Sequence, residues 1–123
     1  MNRTRSRAVR ALATLIGIAM AGGGAMKLLG QPGQVAAFAA WGLPPWFRVL
    51  VGTFEVLGAA LLIVPATTPV GGAILSTIMV GAAWVHAVYR EWPHEAPVVV
   101  LLALLLTIVR LDRTQALRLL GGA

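Results

Sequence analysis

Cysteine is absent from this chain of 123 residues, and charged residues make up only 11% of it. Without a thiol, the chain alone offers no structural disulfide, thiol nucleophile, iron–sulfur ligation or dithiol redox chemistry. With so few charges it also lacks the polar surface that a water-soluble domain of this size requires. Hydrophobic residues account for 59% of the sequence, and the mean hydropathy is +0.85. These values are typical of a protein that lies almost entirely within a membrane.

Four apolar stretches predict membrane-spanning helices, at approximately residues 9–29, 46–64, 70–89 and 97–111. Turn-forming proline and glycine residues separate them. About 20 residues of helix cross the hydrocarbon core at ~1.5 Å per residue. The last stretch is the weakest, because its apolar part from Val98 to Val109 gives only about 18 Å. We therefore expect an all-α fold, a polytopic membrane four-helix bundle in which residues 1–123 form a single membrane domain.

The first span follows a basic start and resembles a secretory signal peptide, with small residues at Ala19-Met20-Ala21. Because its apolar run continues to Leu29, we expect a retained helix. Residues 30–45 are expected to form a loop whose apolar middle, Val35 to Trp41, lies in the membrane interface. We also expect residues 90–96 to form a polar loop, with Pro97 at the first position of the fourth helix.

The basic residues predict the orientation of the bundle. Seven of the ten lie in the two tails, and an even number of spans places both tails on one side. We therefore expect both termini in the cytoplasm. The aromatic residues that prefer the interface then lie towards the outer face: Trp41, Trp46, Trp84, Trp92 and Tyr89. The same distribution leaves no folded basic face for a phosphate backbone, so we expect no nucleic-acid partner.

Glu55 is the most informative residue, because it lies about nine positions into the second span, roughly 13 Å below the outer boundary. An acidic side chain at that depth costs roughly 2.5–3.5 kcal/mol on insertion scales, so it should face protein or water. Gly52, Gly58 and Ala59 lie on the same helix face and allow another helix to approach closely.

Lys27 and His86 share these surroundings, since each follows small residues three and four positions earlier and lies in the outer half of its span. Charges within a bundle usually pair, so we predict a polar cluster of Lys27, Glu55 and His86, with Trp84 beside it. Simpler interpretations remain open. In the first, Lys27 only extends to the lipid headgroups; in the second, His86 is only a neutral interfacial histidine. In the third, Glu55 only fixes the register of the helices.

Metal chemistry is not expected. Glu91 and His94 are three residues apart, a spacing that suits a helix, but Pro93 lies between them and disfavours one. No second histidine stands at ligand spacing from His94. We therefore predict no metal site.

Several segments carry a resemblance to a known family. They are the end of the first span, Gly23 to Leu29; the loop sequence Gly42 to Trp46; the run Phe54 to Ala59; and His86 late in the third span. The chain resembles the DoxX-like family of small bacterial membrane proteins over roughly residues 10–109. The resemblance implies a four-helix bundle in a bacterial inner membrane, with Lys27, Glu55 and His86 as its intramembrane polar residues.

The resemblance also implies a role beside an oxidoreductase. The first hypothesis is a membrane subunit or accessory protein that binds a quinone or similar amphipathic molecule near Glu55, with a soluble or membrane redox partner. No other cofactor is evident, and the sequence does not say whether the chain catalyses a reaction. The second hypothesis is a small proton-coupled transporter, although such proteins place their glutamate in the first span rather than the second. The third is a structural or assembly protein without a ligand.

Overall fold

The computed structural model describes the backbone of residues 3–121 and the side chains of residues 3–112. This part of the chain folds into five α-helices and no strands. The helices are α1 (Arg3–Leu28), α2 (Pro32–Ala40), α3 (Pro45–Ile63), α4 (Thr68–Val88) and α5 (Trp92–Gly121), and a 3₁₀ turn (Pro65–Thr67) joins α3 to α4. The all-α prediction is confirmed.

Four segments are long and apolar enough to cross a membrane: Arg3–Leu28, Pro45–Ile63, Pro65–Val88 and Trp92–Asp112. This agrees with the prediction of four spans. On which side of a membrane the termini lie stays a prediction.

The long helices pack in the order α1, α3, α4, α5, and a smaller contact between α1 and α5 closes the bundle. Consecutive long helices run in opposite directions. One end, here called the termini end, holds the start of α1 and the Ile63–Thr68 connection. The opposite end, here called the α2 end, holds α2 and the α4–α5 turn. All four long helices contribute to one buried apolar core: Val9, Ala13, Ile16, Met20, Ala59, Leu62, Leu75, Met79, Val98, Leu105 and Ile108.

Two predicted loops are partly helical. Residues 32–40, within the expected 30–45 loop, form α2, which starts with a proline at its first position and has Gln31 as its N-cap. The Gln31 side chain accepts a hydrogen bond from the backbone N–H of Gln34 at 2.9 Å. This cap satisfies a donor that a helix start otherwise leaves free.

The prediction of a polar loop at residues 90–96, with Pro97 opening the fourth helix, is wrong. Helix α5 begins at Trp92 and Pro97 lies inside it. Pro93 is tolerated because N–H groups in the first turn have no helical acceptor. Pro97 removes one bond to the carbonyl of residue 93. The early start of α5 lengthens the fourth span. Its 21 residues from Trp92 to Asp112 correspond to about 31 Å, whereas the apolar part from Val98 to Val109 gives only about 18 Å.

Arg10 ties the helices together at the termini end. Its guanidinium donates to the Thr68 hydroxyl at 2.7 Å and to the Ile63 carbonyl at 3.4 Å. It also lies 3.7 Å from the Asp112 carboxylate. Thr68 is fully buried and donates in turn to the Leu62 carbonyl at 2.8 Å. One side chain of α1 thus links the end of α3, the start of α4 and Asp112 of α5.

Glycines let α3 and α4 approach to backbone contact. A Cβ atom added at Gly71 would collide with the backbone nitrogen of Leu62 and would lie 2.6 Å from the Gly58 carbonyl oxygen. These are backbone atoms of a packed helix, so no side-chain rotation relieves the collision. In contrast, a Cβ atom added at Gly22 meets nothing within 4 Å.

Replacement of Gly71 should therefore separate α3 from α4. We expect Gly71→Ala to lower the free energy of unfolding by about 1–3 kcal/mol, as overpacking does. The matched control Gly22→Ala should change it by less than about 1 kcal/mol, the propensity difference alone. Denaturant unfolding in mixed micelles, followed by circular dichroism, measures both. Equal stability of the two variants would show that the close approach contributes nothing.

Candidate functional site

Lys27 and Glu55 form a buried ion pair between α1 and α3. The Lys27 ammonium nitrogen lies 2.9 Å from Glu55 Oε2, and the two side chains are 16% and 6% exposed. An acidic side chain enclosed within a membrane bundle is normally paired with a positive one, and here Lys27 is that partner. The pairing of these two residues agrees with the sequence prediction; their role in binding a ligand stays a prediction.

Glycines on both helices form the walls around this pair. A Cβ atom at Gly23 would lie 2.8 Å from Glu55 Oε1, and one at Gly52 would lie 2.9 Å from both Lys27 Cβ and the Gly24 carbonyl oxygen. Side chains at these positions would therefore displace the carboxylate or push α1 away from α3. The pair is closely enclosed on the α1 side, with no space for a ring between Gly23 and Glu55.

Glu55 is directed towards the interior of the bundle. Gly52, three residues before it, faces α1, and Gly58, three residues after it, contacts Leu75 of α4. Because three residues turn a helix by about 300°, Glu55 lies on the surface between these two contacts. This position accounts for its exposure of only 4%.

His86 does not join the pair. Since Gly58 lies beside Leu75, Glu55 is level with about Ile78 of the antiparallel α4. His86 is eight residues further along α4, about 12 Å of helix rise towards the α2 end. There its Nε2 lies 3.8 Å from Glu91 Oε1. Its ring lies 5.7 Å from that of His94. The three predicted polar residues therefore occupy two levels of the bundle.

A second cluster, here called the α2-end cluster, consists of Trp41, His86, Tyr89, Glu91 and His94. The Trp41 indole N–H donates to Glu91 Oε2 at 3.1 Å, and the Tyr89 hydroxyl donates to the Trp41 carbonyl at 2.9 Å. The Trp41 ring meets the His86 ring edge-on at 5.7 Å. These contacts connect the end of α2 to the turn between α4 and α5.

Trp84 lies outside both clusters. Its side chain is 72% exposed, so it lies on the lipid-facing surface of the bundle and does not contact the ion pair. It follows Thr77 by seven residues, two helical turns, and therefore shares its face of α4. Thr77 lines a shallow apolar groove of about 330 Å³ between α3 and α4, together with Phe47, Leu50, Val51, Phe54, Ile74 and Ile78.

Two cationic contacts were missed by sequence reasoning. Arg48 donates to the main-chain carbonyl of Lys27, near the end of α1, and Arg10 makes the contacts at the termini end described above. Both residues stand near span ends, where sequence alone indicates only interfacial charge. A positive side chain near a helix C-terminus satisfies free carbonyls, but Arg48 stands in the first turn of α3, so the local sequence contains no signal that it would reach the end of α1. Within residues 3–112, no group of three or more His, Asp or Glu residues is arranged to hold a metal ion.

The pairing of Lys27 with Glu55 predicts a characteristic double-mutant result. Glu55→Leu alone should lower the free energy of unfolding by about 3 kcal/mol, because it leaves the Lys27 charge buried without a partner. The double variant Lys27→Met, Glu55→Leu should recover most of this loss. Denaturant unfolding of the unaltered protein, Glu55→Leu, Lys27→Met and the double variant measures the coupling. A double variant as unstable as Glu55→Leu would mean that charge compensation is not what the pair provides.

Comparison with known proteins supports the resemblance drawn from the sequence. No curated protein and no solved structure matches the chain. A family model matches residues 11–108, which contain all of α3 and α4, most of α1 and the first part of α5. Lys27 and Glu55 both lie within this range. This match covers most of the chain and all of the site. The protein is thus a multi-pass membrane protein that belongs to the DoxX-like family.

Proposed function

We propose that this protein is a membrane subunit or accessory protein of an oxidoreductase system and binds a quinone or similar small amphipathic molecule near Glu55. It resides in the bacterial inner membrane with both termini in the cytoplasm, and a soluble or membrane oxidoreductase is its partner. The family supports the membrane role. The seven basic residues of the tails support the orientation.

The groove between α3 and α4 is the observation that carries the proposal. It lies at the depth of the ion pair, since Phe54 precedes Glu55 and Ile78 is level with it. Its volume of about 330 Å³ is at the lower end of small-ligand sites. It opens towards the lipid, so a ligand dissolved in the bilayer reaches it without crossing water.

The residues of the groove suit an aromatic head and an apolar tail. Phe47 and Phe54 offer ring edges and faces for stacking. Thr77 supplies a hydroxyl that donates to the Ala73 carbonyl at 2.9 Å and keeps lone pairs for another donor. Trp84 lies two turns beyond Thr77 on the same face, where a ring leaving the groove would meet it.

The ion pair supports the groove rather than lining it. Gly23 and Gly52 enclose Lys27 and Glu55 so closely that a ring has no place between them. The pair holds α1 against α3 and thereby fixes the helix that forms one wall of the groove. Under this proposal, Glu55 affects binding through the position of Phe54, its neighbour in the chain.

A structural protein without a ligand is the second candidate. The close enclosure of the ion pair favours it, because a pair that only sets helix register needs no accessible space. The two candidates differ in a single respect that can be measured, namely whether a molecule occupies the groove.

A side chain that fills the groove should displace its ligand. The unaltered protein should retain an amphipathic molecule during gentle purification, and we expect Leu50→Trp to abolish this retention. Leu15→Trp, at an exposed position of α1 outside the groove, is the matched control and should retain it. Native mass spectrometry of both variants detects the molecule and gives its mass.

Glu55→Gln tests whether the ion pair contributes to binding at the groove. Retained folding with reduced occupancy of the groove would support the role assigned above. An empty bundle in the unaltered protein and in every variant, with equal stability, would favour the structural candidate and overturn the proposal of a quinone-type ligand.

A further inference from the structure

The short helix α2 is joined to the bundle by two glycines in the left-handed backbone region. Gly30 precedes it with φ +71° and Gly42 follows it with φ +72°. Each of these glycines terminates the preceding helix with a reversed pattern of hydrogen bonds, Gln31 N–H to the Met26 carbonyl in one case and Leu43 N–H to the Phe38 carbonyl in the other. This backbone conformation favours glycine, and glycine also has the widest range of accessible backbone dihedral angles. Both ends of α2 therefore have the properties of hinges.

Few side chains hold α2 in place. Phe38 is its one buried residue, at 5% exposed. It packs against Trp41 with ring centroids 5.2 Å apart. Trp41 in turn is fixed by the hydrogen bonds from its indole to Glu91 and from Tyr89 to its carbonyl. Here these two hydrogen bonds are called the Trp41 latch.

Polar atoms without partners lie at the same end of the bundle. His86 Nδ1 and Glu95 Oε1 are both buried, and neither has a hydrogen-bond partner within the described residues. Buried polar atoms are nearly always paired with protein or with water. His86 lies beside the Trp41 ring, which marks a place where water would be bound if α2 moved away.

The geometry points to α2 as a lid, held by the Trp41 latch, whose opening admits water to His86, Glu95 and the Lys27–Glu55 pair. Phe38 closes this end of the bundle when the lid is shut. The latch is made of hydrogen bonds between partly exposed groups, so its release disturbs no part of the four-helix core. This inference concerns access from the water side and does not depend on a ligand in the lipid-facing groove.

The absence of cysteine makes the lid directly testable. Ala83 is partly buried and lies one turn of α4 before His86, on the same side of the helix, so Ala83→Cys places a single thiol one turn further into the bundle than the His86 ring that contacts Trp41. A small, charged methanethiosulfonate reagent labels only thiols that water reaches. Nanodiscs expose both faces of the membrane, so the assay does not depend on orientation.

Release of the latch should speed labelling of Ala83→Cys. Trp41→Phe removes the indole donor and Tyr89→Phe removes the phenolic donor. Each should raise the labelling rate about fivefold, the effect of one net hydrogen bond on an opening equilibrium. Trp46→Phe, which alters an exposed tryptophan outside the latch, is the matched control and should leave the rate unchanged.

Three outcomes would overturn the inference. Equal rates in all backgrounds would show that α2 is a fixed cap, and rapid labelling with the latch intact would show that α2 covers nothing. A second reporter, Ala13→Cys in the fully buried core near the termini end, must stay unlabelled. If Trp41→Phe or Tyr89→Phe also exposes this reporter, the whole bundle has loosened and no local lid exists.

Discussion

The close approach of α3 to the helices on either side of it is the constraint on which the rest of the structure depends. Gly52 brings α3 against α1, and Gly58 with Gly71 brings it against α4. Lipid is as apolar as leucine, so a membrane bundle gains little from burying hydrophobic surface and depends on close packing instead. Only with α1 this close does the Lys27 ammonium reach Glu55.

The polar contacts of the bundle follow from this packing and occupy three levels. Arg10 joins four segments at the termini end, Lys27 and Glu55 meet between the two ends, and Trp41 with Glu91 closes the α2 end. Each contact links elements that are distant in sequence. The core between them consists of small and aliphatic side chains, so these contacts supply directionality that dispersion alone does not.

Sequence patterns predicted the spans and the Lys27–Glu55 pair because both follow from one-dimensional rules. An apolar run long enough to cross the membrane predicts a helix, and a buried acidic side chain predicts a basic partner. The separation of His86 from Glu55 depends on how α3 and α4 are offset, which is set by the contact of Gly58 with Leu75. The start of α5 at Trp92 was missed because two prolines weigh against a helix, although Pro93 lies in the first turn, where proline is tolerated, and Pro97 inside the helix removes one backbone bond. Neither the offset nor the contact of Glu91 with Trp41 has a signal in local sequence.

Under the two proposals above, the bundle is reached by two separate routes at different levels. The groove beside Phe54 opens to lipid and suits an apolar molecule, whereas α2 covers an end that faces water. Between them stands Glu55, enclosed by glycines and neutralised by Lys27. A charge enclosed in this way is reached from either side only if one of the elements around it moves. Any coupling between the lipid side and the water side must therefore pass through movement of α2, because α1, α3 and α4 are held against one another at their glycines and few side chains hold α2.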